Sequence, residues 1–166
     1  DPDGGTVAFE LKDVAEGRVG EIEETGAGMA VYRPTRVRIE GAHPHPMQLV
    51  ESAAMASVNP PRPNYDPHLP EKMVREGKLS EAQLEAVIYA GAAHSEVLPV
   101  LPGEPQKRKG FFIGDSTGVG KTREIAGIIA DNWAQGRKRP ILISKDKKLM
   151  TGARRDFDNI GMSSVP

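Results

Sequence analysis

Gly114-Asp115-Ser116-Thr117-Gly118-Val119-Gly120-Lys121-Thr122 is the stretch that decides how this chain is read. It follows an apolar run, Gly110-Phe111-Phe112-Ile113, and opens an amphipathic segment at Lys121. Strand, glycine-rich loop and helix in that order form a phosphate-binding P-loop. Glycines at 118 and 120 permit backbone torsions that other residues resist, so successive N–H groups can turn inward around a phosphate. A helix starting at Lys121 adds its unpaired N–H groups and the positive end of its dipole. Lys121 would reach the β- and γ-phosphates, and the Thr122 hydroxyl would ligate Mg²⁺. Asp115 stands where the consensus has its first glycine.

Working outward, the helix from Lys121 places Ile125, Ile128, Ile129 and Trp133 on one face and should stop near Gly136. Ile141-Leu142-Ile143 reads as a second buried strand, and residues 146–160 as a helix with Leu149, Met150, Ala153 and Phe157 together. Strand, helix, strand over about thirty residues implies a right-handed βαβ unit with parallel strands. Upstream, Ser80-Glu81-Ala82-Gln83 is a capping-box sequence. Leu84, Val87 and Ile88 follow at helical spacing, with Gly91 near the expected end. Asn59-Pro60-Pro61-Arg62-Pro63 is an extended connector, and residues 46–57 suggest a short helix. Val7, Phe9 and Leu11, and then Val37 and Ile39, alternate as strands do.

The expected fold is therefore α/β, with a parallel βαβ unit and flanking helices. Three regions divide the chain. Residues 1–40 are a strand- and loop-rich segment, 41–109 a helical and proline-rich lead-in, and 110–166 the first P-loop βαβ unit.

The chain has 166 residues and a formal charge of −1, which hides a division. Residues 1–105 carry 9 Lys and Arg against 17 Asp and Glu, whereas residues 106–155 carry 13 against 4. A basic P-loop half favours a polyanionic partner, although a solvated charged face explains the charge equally well. With no cysteine, disulfides and thiolate metal sites are excluded. No apolar run has the length of a membrane span, and the chain begins without a signal-peptide pattern. It does not start with methionine and reads as a piece of a longer, intracellular protein. His43-Pro44-His45-Pro46 lacks the further ligands a metal site needs and reads as a surface loop.

Gly110-Phe111-Phe112-Ile113-Gly114-Asp115, Gly118-Val119-Gly120-Lys121 and Ile125-Ala126-Gly127-Ile128-Ile129 together resemble the helicase-like domain of the strawberry notch family, superfamily 2 ATPases. The resemblance includes His45-Pro46, Leu49-Val50-Glu51, Val58-Asn59-Pro60-Pro61 and Gln83-Leu84-Glu85-Ala86 upstream. It reaches Arg155-Asp156-Phe157 and Ile160-Gly161 downstream, spanning roughly residues 40–161. It implies part of a RecA-like lobe that binds ATP and Mg²⁺ through residues 114–122. Related chromatin-remodelling ATPases carry an acid at the Asp115 position. Where the family often has glycine, this chain has Ser116 and Thr122, and Thr122 is the better magnesium ligand.

By the same resemblance, Gln83 is the adenine-reading glutamine, a role that competes with its place in the capping box. Tyr65 is a candidate for stacking on adenine, against the alternative of a tyrosine packing the proline-rich loop. Ser144, Lys145, Lys147 and Lys148 fall where such enzymes contact nucleic-acid phosphates; Arg154 and Arg155 are weaker candidates. The implied partner is DNA or RNA, with the acidic N-terminal segment offering a protein contact. Localisation would be cytoplasmic for a bacterial member and nuclear for an animal one.

Hydrolysis needs a second acid holding Mg²⁺ after an apolar strand. Glu124, Asp131, Asp146, Asp156 and Asp158 do not occur in that setting, so turnover is expected to need parts beyond residue 166. Two alternatives stand beside this reading: a degenerate P-loop module that recruits a protein, and an unrelated P-loop kinase.

Overall fold

The computed structural model describes residues 28–163, apart from residues 33, 35, 36, 38 and 59. The strand expected at 7–11 lies outside the described residues. Among the described residues two short strands and five helices follow in order: β1 (Met29–Val31), β2 (Val50–Ser52), α1 (Ala53–Ala56), α2 (Glu71–Arg75), α3 (Glu81–Ser95), α4 (Lys121–Ala134) and α5 (Lys147–Asn159).

β1 and β2 pair antiparallel, with Met29 opposite Ser52 and Val31 opposite Val50. This corrects the short helix expected over 46–57. Val50–Ser52 finds a ladder partner distant in sequence, so only the four residues after it coil into α1. Ser52 ends the strand and caps that helix, its hydroxyl accepting from the Met55 N–H at 3.3 Å.

α3, α4 and α5 pack side by side in that order, each helix in contact with the next. α3 starts where its capping box places it: the Ser80 hydroxyl accepts from the Gln83 N–H, and the Gln83 amide oxygen accepts from the Ser80 N–H. It runs past Gly91 to Ser95, because Gly91 is an interior helical residue with the Tyr65 ring laid against it. A Cβ there would lie 2.0 Å from Tyr65 Cε1. α4 and α5 both stop at left-handed glycines, Gly136 and Gly161. In each case the residue after the glycine donates back into the last turn, Arg137 N–H to the Asn132 carbonyl and Met162 N–H to the Phe157 carbonyl.

The core gathers Leu69, Met73, Val74, Leu79, Leu84, Val87 and Ile88 around Ala126, Ala130, Ala153, Phe157 and Ile160. The face of α4 that is buried differs from the expected isoleucine stripe. Glu124, Ala126, Gly127, Ala130 and Asp131 are buried, and Ile128, Ile129 and Trp133 pack only partly against the core. Close approach explains the difference. A Cβ at Gly127 would meet Val87 Cγ2 at 2.8 Å, so α3 and α4 touch through small residues and the isoleucines are left at the flank.

The parallel βαβ pairing is not formed among the described residues, whose one sheet is antiparallel. Residues 110–113 and 141–143 carry no ladder hydrogen bonds. Phe112, Ile141 and Ile143 are 86–89% exposed. A parallel strand needs neighbours along its edges and cover on both faces; among the described residues these segments have no strand neighbour and leave Phe112, Ile141 and Ile143 open to solvent. Leu142 turns inward above a cavity of about 330 Å³ lined by Ile129, Met150, Ala153 and Phe157.

Candidate phosphate-binding site

The loop over 114–122 adopts the shape its glycines allow. Gly118 and Gly120 have φ of +102° and +91°, and Gly120 caps α4 so that the first-turn N–H groups face the loop. The Lys121 ammonium folds back across it, donating to the Asp115 carbonyl at 2.7 Å and the Ser116 carbonyl at 3.0 Å. Thr122 follows in the first turn of α4.

Gln83 reaches this loop from the start of α3. While its oxygen serves the capping box, its amide nitrogen donates to the Val119 carbonyl at 3.0 Å. A Cβ at Gly120 would fall 2.6 Å from that nitrogen. Glycine at 120 therefore answers two constraints at once, a left-handed φ and contact with a side chain from another helix. The segment 43–47 runs beside the same corner. The His43 carbonyl accepts from Glu81 N–H at 2.8 Å, and Met47 lies against Gly118.

Tyr65 is held elsewhere. Its hydroxyl donates to Asp131 at 2.6 Å and accepts from the Gln135 amide at 2.7 Å. Asp131 is ten residues along α4 from Lys121, about 15 Å at the helical rise. The structure thus joins Gln83 to the loop and keeps Tyr65 at the far end of the helix. Ser144, Lys145, Lys147 and Lys148 are exposed at the start of α5. Asp146 caps that helix, its carboxylate accepting from Lys148 N–H at 2.8 Å, and Ser144 bonds the Asp146 backbone. His43 Nε2 contacts the Arg75 carbonyl and His45 Nδ1 bonds the backbone at Met47. Among the described residues no three acids or histidines group as a metal site.

Sequence patterning missed the buried acids around the loop. Glu124, on the first turn of α4, is 1% exposed, and its Oε2 has no hydrogen-bond partner. Burial first, and the neighbouring Asp115 charge second, push its carboxyl up to about 7. Glu85 on α3 accepts from the Tyr32 hydroxyl and is also raised, chiefly by burial. Burial likewise raises Tyr32, with Glu85 adding to the shift. The one available signal was negative: acids on an otherwise small, buried helix face at 124 and 131.

Glu85 gives a pH prediction. Glu51 and Asp115 face it as further negative charges, so the fold favours its neutral form. A carboxyl raised on folding contributes stability fully below its ordinary value of 4.5 and loses it as pH rises through the folded value. Glu85→Gln should therefore gain in melting temperature relative to wild type as pH goes from 4 to 8. A gap independent of pH would show that Glu85 titrates as it does in the unfolded chain.

With this geometry in view, comparison with known proteins places the chain. The family described as P-loop containing NTP hydrolase pore-1 matches residues 44–166, which include every residue of the loop. The strawberry notch homolog of Caenorhabditis elegans is 43% identical over 135 residues, 81% of this chain and 7% of that protein. The chain belongs to the strawberry notch family. Human strawberry notch homolog 1 is 40% identical over 157 residues, 93% of this chain and 11% of its own length. The FORGETTER 1 protein of Arabidopsis thaliana is 40% identical over 134 residues, 81% of this chain and 10% of its own. The chain thus spans about a tenth of the strawberry notch relatives it matches. No solved structure matches it. Among the described residues no helix is long and apolar enough to cross a membrane.

Proposed function

We propose that this chain is the ATP-binding front of a helicase-like, nucleic-acid-dependent ATPase. The observation that carries the reading is the joined loop: two left-handed glycines, Lys121 folded across the carbonyls of 115 and 116, and Gln83 bonded to Val119. The donor set fits a magnesium triphosphate. Backbone N–H groups of residues 116–121 and the Lys121 ammonium would hold the phosphates, and the Thr122 hydroxyl would hold Mg²⁺. Bound Mg·ATP would supply the phosphoryl group, while the chain's own part is to bind and orient it. Gln83 stands at the loop with one amide hydrogen beyond its bond to Val119, and that hydrogen suits an acceptor on the base.

In this reading residues 110–113 and 141–143 are strands of a RecA-like parallel sheet completed by chain beyond residue 166. The acid that activates water would come from that further chain. Ser144, Lys145, Lys147 and Lys148 would contact nucleic-acid phosphates, supplying affinity without sequence information.

Mg·ATP at a hundredfold excess over its Kd should stabilise the protein by about 2.7 kcal/mol. For a chain of this size that raises the melting temperature by roughly 5–10 °C. Absence of any shift with ATP, ADP or a non-hydrolysable analogue would favour the interaction-module alternative.

A further inference from the structure

Tyr65, the residue whose sequence position suggested stacking on adenine, is bonded to Asp131 and Gln135 at the far end of α4. Phe112 leans on Gly114, at the other end of the loop from Gln83, and belongs to a segment without strand neighbours among the described residues. The side chain that does come to the corner between Gln83 and the loop is Met47. A Cβ at Gly118 would lie 3.7 Å from Met47 Cε, and Gln83 bonds the next residue, Val119, at 3.0 Å. The backbone carrying Met47 is fixed on both sides. Upstream, His43 bridges Ser80, its carbonyl accepts from Glu81 N–H, and the His45 ring bonds the Met47 backbone. Downstream, Val50 enters the β1–β2 ladder.

Met47 is 55% exposed although its methyl end touches the loop, so one flank packs on Gly118 and the rest of the thioether faces solvent. A polarizable thioether on a fixed backbone is a favourable surface for a flat ring. Gln83 is buried, with its oxygen in the capping box and its nitrogen on Val119, so it offers a ligand direction but little area. We propose that Met47 is the apolar wall of a nucleoside subsite: the base of a nucleoside triphosphate lies across its thioether while the phosphates run into the loop, and Gln83 meets the base at its edge. One apolar face with a few directed polar groups is the usual make-up of a small-ligand pocket. A thioether is only a weak hydrogen-bond acceptor, so Met47 holds any purine ring and leaves discrimination among bases to Gln83.

The subsite rests on the ATP binding proposed above, so its test uses two ligands that share the phosphates and differ in the base. Mg·ATP and magnesium tripolyphosphate are titrated by calorimetry into the full-length protein. Met47→Ala should weaken Mg·ATP about tenfold, through loss of a sulfur–ring contact and the apolar area with it, and leave tripolyphosphate within about twofold of wild type. Met47→Leu keeps the apolar volume and should stay within about threefold of wild type for both ligands. In methyl NMR spectra the Met47 resonance, identified by its absence from Met47→Leu, should move upfield with Mg·ATP through the ring current of the base and hold its position with tripolyphosphate. Equal weakening of both ligands in Met47→Ala overturns the subsite, because Met47 then only shapes the loop. Unchanged Mg·ATP affinity in Met47→Ala overturns it as well, with ATP binding itself intact. A wild-type protein that binds neither ligand gives a different result: it removes the ATP reading and the subsite together.

Discussion

Asp131→Ala should cost about 2–4 kcal/mol of folding free energy, because it removes a buried shared acceptor and each stranded donor costs about 1–3 kcal/mol. The carboxylate is 1% exposed and accepts three hydrogen bonds: from the His68 N–H at 2.6 Å, the Tyr65 hydroxyl at 2.6 Å and the Gln135 amide at 2.9 Å. Two of these donors come from the proline-rich connector and one from the end of α4. Alanine leaves the His68 N–H and the Tyr65 hydroxyl without their acceptor, each at its own desolvation penalty, whereas the Gln135 amide keeps the Tyr65 oxygen and the Asp131 backbone carbonyl. Small domains hold about 5–15 kcal/mol in total, so the loss is a large share of the whole. Urea denaturation should show the midpoint falling with little change in slope. Asp131→Asn keeps an acceptor for His68 but turns a donor towards the Gln135 amide, so its cost should be smaller, about 1–2 kcal/mol. A loss below about 1 kcal/mol for alanine would mean the connector is held mainly by Leu69 and the Tyr65 ring.

That network also shows where sequence reading stops. Helix boundaries at Ser80, Gly120, Gly136 and Gly161 were legible because capping is local: a hydroxyl three residues from a glutamine, or a glycine after the last turn, specifies an end by itself. The P-loop was legible for the same reason, and the family resemblance drawn from its flanking blocks agrees with the match over residues 44–166. The helix face of α4 was not legible. Hydrophobic periodicity selects Ile125, Ile128, Ile129 and Trp133, but close packing on α3 selects small residues, and Gly127 scores as nothing on a hydropathy scale. Asp131 and Glu124 were missed because an acid inside a core makes sense only once its partners are known. Those partners lie 63 and 66 residues away for Asp131. The strands at 110–113 and 141–143 fail in the opposite way. Their apolar runs specify a preference for a sheet, but a strand is defined by the neighbour it bonds.

The two ends of α4 thus separate two tasks. At its C-terminal end, Asp131 and Gln135 fasten the connector to the helix. At its N-terminal end the same helix presents the loop, with Gln83 crossing from α3 to reach it. A change at Asp131 should therefore lower stability without altering the ligand response, and a change in the loop should do the reverse.

Lys121→Ala is the loop half of that contrast. It should abolish the stabilisation by Mg·ATP while leaving the melting temperature of the ligand-free protein within about 2 °C of wild type. The ligand-free effect is small because the lysine's two bonds go to carbonyls of an exposed loop, where water can replace the ammonium. The ligand effect is large because nothing else in the loop carries a full positive charge. Gly114, Ser116, Thr117, Gly118, Val119 and Gly120 offer neutral side chains or none, and Asp115 is an acid. Removing one charge-assisted contact to a multiply charged phosphate costs about 1.5–3 kcal/mol at least, so affinity should fall tenfold to more than a hundredfold. Calorimetry on wild type, Lys121→Ala and Asp131→Asn gives the comparison directly. Loss of binding in the lysine variant with retention in Asp131→Asn places ATP at the loop. Equal affinity in all three would mean that any nucleotide bound is held elsewhere on the chain, and Gln83 and Thr122 would lose their assigned roles with it.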